Sequence, residues 1–154
     1  MSEYARRLRE KVGTDLLFWP VVACLVRDGD RVLLVQHTEG RWTLPGGAME
    51  PGETPAEAAR RETLEEASVD VELTRIAGVF GGDPDFHMTY PNGDEVAWVT
   101  TLFEATIVGG TPAPGDDETV DTRWATFDEA VELGVSPATQ HMLESVRDGR
   151  AFDR

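Results

Sequence analysis

Two periods organise the hydrophobic residues of this chain. Apolar and polar positions alternate from Val69 to Phe80 and from Val96 to Val108, the period of two expected of strands with one buried face. Runs 18–27 and 31–37 are richer in Val and Leu, and Asp28-Gly29-Asp30 between them predicts a hairpin, because Asp-Gly tolerates the positive φ of a type I′ turn. "YPNGD" at 90–94 predicts a second hairpin turn between Phe86 and Val96, and "TVDTRWATF" at 119–127 a further short strand. Helical spacing takes over elsewhere. Tyr4, Leu8 and Val12 fall four apart on one side of a short N-terminal helix that Gly13 stops. Thr54 opens a second helix with Pro55 at its first position and Glu57 closing a capping box, and the helix runs to about Ala67. Thr126 with Glu129 predicts another capping box, while Ser136, Pro137 and Gly149 bracket the last helix. "RWTLPGGAMEPGE" at 41–53 is a loop that must turn sharply. Strands with irregularly interspersed helices predict an α/β class, a mixed sheet with helices on its faces.

Length and composition narrow this picture. A chain of 154 residues holds one full core and is too short for two ordinary domains. The expected division is an N-terminal helical extension at 1–13 and a single domain at 14–154. With 40% apolar and 28% charged residues the composition is that of a soluble globular protein. A formal charge of −15 repels nucleic-acid polymers, which need clustered Lys and Arg, yet admits a small phosphorylated metabolite where metal ions supply the positive charge. The apolar run "LLFWPVVACLV" at 16–26 is interrupted by Pro20, lacks a cleavage site and is too short to span a bilayer, so no membrane association is expected. Cys24, the lone cysteine, reads as core filler and cannot form an internal disulfide, which points to a reducing cytoplasm.

The helix opened by Thr54 carries the candidate chemistry. Glu62, Glu65 and Glu66, three and four apart, share one face and repel one another. A solvated acidic face balanced by Arg60 and Arg61 would explain them. Two features favour another reading: the helix has little apolar surface beyond Leu64 and its alanines, and the glutamates follow the Gly46-Gly47 turn at a fixed interval. Hard carboxylate oxygens in that number suit Mg²⁺ or Mn²⁺.

Gly47, five residues, Glu53, seven residues, then Arg61-Glu62-Thr63-Leu64-Glu65-Glu66-Ala67-Ser68-Val69 resembles the signature box of the Nudix hydrolases. "W-x-LPGG" at 42–47 and "ETVDTRW" at 118–124 are similar to the family as well. Ser68 departs from the pattern, which has glycine there to end the helix in a left-handed conformation; Thr63 is a weak occupant of a usually apolar position.

The resemblance implies a Nudix-type α/β/α sandwich with a mixed β-sheet, and it implies roles. Glu62, Glu65 and Glu66 would hold one or more Mg²⁺, with Mn²⁺ as a substitute and the carbonyl of Gly46 assisting. Arg61 and Glu53 would pair to fix Glu62. Glu118 would swing an extra carboxylate toward the metals, unless with Asp116 and Asp117 it is only an exposed acidic turn. The implied reaction is cleavage of the diphosphate linkage in a nucleoside diphosphate joined to another group X. The alternatives are a nucleoside triphosphate pyrophosphatase of the MutT type and a non-catalytic nucleotide-binding module. Loops 81–94 and 109–119 would set the substrate. Trp19, Trp42, Trp98, Phe86 and Tyr90 are either core or a base-stacking wall, and His37, His87 and His141 show no ligand spacing. The N-terminal helix packs on its own sheet or on a partner subunit, which leaves a homodimer open.

Overall fold

The computed structural model describes residues 3–82 and 84–153. Its elements, in chain order, are α1 (Glu3–Val12), β1 (Leu17–Asp28), β2 (Arg31–His37), β3 (Trp42–Thr43), β4 (Gly46–Ala48), α2 (Pro55–Ala67), β5 (Val69–Gly81), β6 (His87–Thr89), β7 (Glu95–Gly110), β8 (Thr119–Thr126), α3 (Phe127–Glu132) and α4 (Pro137–Arg147).

One parallel pairing makes the sheet mixed. β1 runs alongside β7 from Leu17↔Val96 to Val26↔Ala105, and the other pairings are antiparallel. The strand order is β3-β2-β1-β7-β5, with β4 on β1, β6 on β7 and β8 on β2. β1 and β2 pair only at the tip of their hairpin, Arg27↔Val32 and Asp28↔Arg31. Away from that tip the two strands diverge, β1 toward β4 and β7 and β2 toward β3 and β8. The divergence opens the cleft described below.

Alternation along β1 sends side chains to two cores. Ala23 and Leu25 join Leu34, Phe80, Phe86, Leu102 and Leu143 beneath α4. Val22, Cys24 and Val26 join Val69, Phe103 and the alanines of α2. Ala58, Ala59 and Ala67 are fully buried, and their small size lets the backbone of α2 approach the sheet closely. Thr63 is tolerated in this apolar contact because its hydroxyl donates to the Ala59 carbonyl at 2.8 Å. Cys24 is core, as expected, and burial pushes its thiol up to about 11.

Local expectations hold closely in the helices. α2 begins at the Thr54 capping box, α3 at the Thr126–Glu129 box and α4 at Ser136. Ser68 takes the left-handed conformation that glycine would adopt more readily, with φ 56° and ψ 30°. Two details differ from the sequence reading. Only Gly29 of the two central hairpin residues has positive φ, the pattern of a type II′ turn and not I′. The 41–53 segment is not all loop, since Gly46–Ala48 forms a strand on Val21–Ala23. α1 lies on its own chain: Tyr4 meets Trp19 edge-on at 5.9 Å, and the Arg9 guanidinium donates to the carbonyls of Gly13, Asp15 and Glu95. No described helix is long and apolar enough to cross a membrane.

Candidate active site

The last two turns of α2 face β4, and that contact separates three glutamates that the sequence presents as equivalent. Glu66 is buried, with 7% of its surface exposed, and its Oε2 accepts the Gly46 N–H at 2.8 Å. Burial pushes its carboxyl up to about 8; the Gly46 N–H opposes the shift, and the charges of Glu62, Asp116 and Glu118 add to it. Glu62, with 15% of its side chain exposed, accepts from Arg61 Nη1 at 2.8 Å. Its carboxyl is also raised, because burial outweighs the Arg61 charge. Glu65 is 52% exposed and lies 3.2 Å from the same Arg61 nitrogen.

Arg61 is the hub of these contacts. Its Nη2 donates to Glu53 Oε1 at 2.7 Å and its Nε to Glu53 Oε2 at 3.1 Å, a two-point fork that holds the Glu53 carboxyl below its usual range. Glu53 Oε1 also accepts the Glu50 N–H at 2.6 Å, which ties the fork to the turn before α2. Gly47 makes room for Glu62: a Cβ there would sit 2.7 Å from the Glu62 carboxylate.

The structure therefore gathers Glu53, Arg61, Glu62, Glu65, Glu66 and Gly46 within one patch. Gly46 meets Glu66 through its N–H. Glu118 is exposed in the 111–118 segment, with its carbonyl accepting the Thr38 N–H at 3.0 Å. Asp116 beside it caps the turn by accepting the N–H groups of Glu118 and Thr119. Glu62 and Glu65 turn to Arg61 while Glu66 turns to Gly46, and among the described residues no three acidic, His or Cys side chains converge as a ready cage. Two carboxylates with raised pKa, Glu66 buried and Glu62 partly so, with oxygen-only donor chemistry nevertheless fit a divalent cation, which would supply the positive charge they lack.

Beside the patch lies a cleft of about 350 Å³ whose lining includes Leu44, Met88, Tyr90 and Trp98, with His37 and Gly46 also on its wall. Trp98 and Tyr90 thus face a ligand-sized space, whereas Trp42 and Phe86 are core and Trp19 packs on α1. Sequence reasoning missed His37. Its Nε2 lies 2.9 Å from Thr43 Oγ1 and 4.0 Å from Glu66 Oε1, contacts made by strand pairing and not signalled by any spacing. It also missed His141, set between Asp85 and Asp153.

Over 125 residues, 77% of this chain and 33% of the relative, the chain is 34% identical to the human 8-oxo-dGDP phosphatase NUDT18. Over 78 residues, 49% of this chain and 46% of the relative, it is 50% identical to human diphosphoinositol polyphosphate phosphohydrolase 3-alpha. The chain thus spans a third to about half the length of these relatives. A NUDIX hydrolase structure from Nitrosomonas europaea shares the fold, with a TM-score of 0.70 at 24% identity over 88% of this chain and 93% of that one. The NUDIX domain family matches residues 17–146, taking in the glutamate helix, the sheet beneath it and most of the cleft's lining, and on that extent the chain belongs to the Nudix hydrolase family.

Proposed function

We propose that the chain is a divalent-cation-dependent pyrophosphohydrolase that cuts the diphosphate linkage of a nucleoside diphosphate joined to a group X. Mg²⁺ is the expected ion and Mn²⁺ a substitute. The observation that carries this reading is the buried Glu66 carboxylate, short of positive charge, at the edge of an aromatic-walled cleft.

Glu62, Glu65 and Glu66 would hold the cation, with Gly46 beside them. When bound, the cation neutralises the diphosphate oxygens and acidifies the attacking water. The residues supply the remainder. Arg61 and Glu53 keep Glu62 from swinging away, since a long side chain left unsupported loses precision at the site. A cluster carboxylate not engaged by the cation accepts the water's proton at a carboxylate oxygen. Glu118, whose charge already acts on Glu66, would supply a further carboxylate from the 111–118 segment. His37 stands between the cluster and the cleft, where it can donate to a phosphate oxygen.

The cleft favours a nucleotide over a densely phosphorylated inositol. Arg41 is the one Lys or Arg among its described lining residues, and it is paired with Glu39. Recognition of many phosphates needs a basic cluster, whereas Trp98 and Tyr90 offer flat apolar faces suited to a base. The direct test is a panel of nucleoside diphosphate derivatives, nucleoside triphosphates and inositol pyrophosphates with Mg²⁺, with products identified. Two phosphorylated fragments from a nucleoside diphosphate derivative support the reading. Inorganic pyrophosphate from triphosphates alone would move it to the MutT type, and binding without turnover across the panel would move it to a nucleotide-binding module.

A further inference from the structure

Asp85 lines the same cleft as Met88, Tyr90 and Trp98, and the mechanism above makes no use of it. It belongs to the segment between β5 and β6, and a contact from far along the chain holds it in place. His141 of α4 places Nδ1 2.9 Å from Asp85 Oδ2, across 56 residues of sequence, and Nε2 2.6 Å from Asp153 Oδ1. A ring with a carboxylate on each nitrogen donates from both. Burial resists that protonation, but the bonds to Asp153 and Asp85 outweigh it and raise the His141 pKa. Phe80 and Phe86 meet the imidazole edge-on at 6.1 and 5.3 Å, which fixes its plane. The bond to His141 restrains the Asp85 carboxylate where it stands between the cleft and a smaller pocket lined by His141 and Glu144. A carboxylate has about four acceptor positions, and His141 occupies one. The cleft's other described carboxylate, Glu39, is engaged by Arg41.

We propose that Asp85 reads the base of the nucleotide substrate, accepting the paired N–H donors of a guanine-type base that packs on Trp98, and that His141 is the positioning residue that aims it. This rests on the nucleotide reading above and names the base class that reading leaves open. Guanine alone among the standard bases presents two adjacent donors, N1–H and the N2 amino group, on its Watson–Crick edge. Adenine and cytosine set a ring-nitrogen lone pair beside the amino group, and uracil flanks its N–H with carbonyls, so each would turn a lone pair toward the carboxylate. An unmatched pair of this kind in a partly desolvated site is rejected far more strongly than a change of size. The base then lies toward Asp85, and the phosphates toward His37 and Glu66.

The test reads binding and needs no turnover. Calorimetric titration of the full chain with GMP, IMP and AMP should give affinities in that order, because IMP keeps N1–H and lacks the amino group, with GMP at least tenfold tighter than AMP. D85N should bring the GMP-to-AMP ratio toward one, since its amide replaces one acceptor with a donor. H141L should lower the same ratio, whereas H141N, which can present a donor near the position of Nδ1, should keep most of it. Thermal melts of each variant report whether the fold is kept, and the wild-type ratio stands as a test whatever the variants do. Equal wild-type affinity for GMP and AMP overturns the role of Asp85 while the nucleotide reading stands. Failure to bind any of the three overturns both. A ratio unchanged in H141L removes the positioning role of His141.

Discussion

The backbone N–H of Gly46 donates to Glu66 Oε2 at 2.8 Å, joining two residues 20 positions apart in the chain. That single bond partly offsets a burial that otherwise drives the carboxyl toward its neutral form, with a pKa of about 8 against the usual 4.5. A folded pKa above the unfolded one gives stability that is fully present below pH 4.5 and is lost as pH rises through about 8. With a chelator present, wild type should therefore lose stability across that window relative to Glu66→Gln, which keeps an oxygen for Gly46 and carries no charge. The difference should reach about 2–4 kcal/mol above pH 8 and vanish in acid. Mg²⁺ should raise the wild-type melting temperature at pH 8 and leave the variant's nearly unchanged. Melts across pH, with and without Mg²⁺, measure both; parallel curves for the two proteins would show an ordinary acidic face.

Neighbouring glycines should fail in different ways. The atoms nearest a Cβ on Gly47 are the carboxylate end of the Glu62 side chain and not backbone, so Gly47→Ala should keep most of its stability while activity falls roughly 10-fold or more as that carboxylate is displaced. A Cβ on Gly46 would lie 2.2 Å from the Val22 carbonyl oxygen, where the backbone cannot give way cheaply. Gly46→Ala should therefore lower the melting temperature sharply. Equal melting temperatures for the two variants would contradict this account of β4.

Arg61→Lys tests the fork. Lysine keeps the charge but cannot bridge both Glu53 oxygens while reaching Glu62 and Glu65. The Mg²⁺ concentration for half-maximal turnover should rise by about 10–100-fold with little change in fold. A variant with wild-type Mg²⁺ dependence would leave Arg61 as an ordinary surface cation.

Ser68→Gly should stabilise the protein by up to about 1 kcal/mol, because φ is 56° at this position and serine adopts it less readily than glycine. Urea unfolding gives the sign directly. A lower midpoint would mean that the Ser68 hydroxyl contributes more than the backbone conformation costs.

The sequence by itself determined the elements whose cause is local. Thr54, Pro55 and Glu57 start α2 through bonds spanning three residues, and Ser136 starts α4 in the same way. Alternation marked the inward face at the start of β5, where Val69 and Val71 are buried, but bulges shift its phase further on and leave Ile76 and Val79 exposed; the spacing of Glu62, Glu65 and Glu66 set them on one helix. Tertiary structure decided what those positions experience. The same helix face carries one glutamate sealed under β4, one held by Arg61 and one mostly in water, because burial depends on which strand lies opposite. Parallel pairing of β1 with β7 and the divergence of β1 from β2 shaped the cleft that brings His37 near Glu66 and places Asp85 against His141. No short-range pattern encodes these contacts. Each depends on closing a long loop, and the entropy of closure is repaid only once the two cores on either side of the sheet have packed.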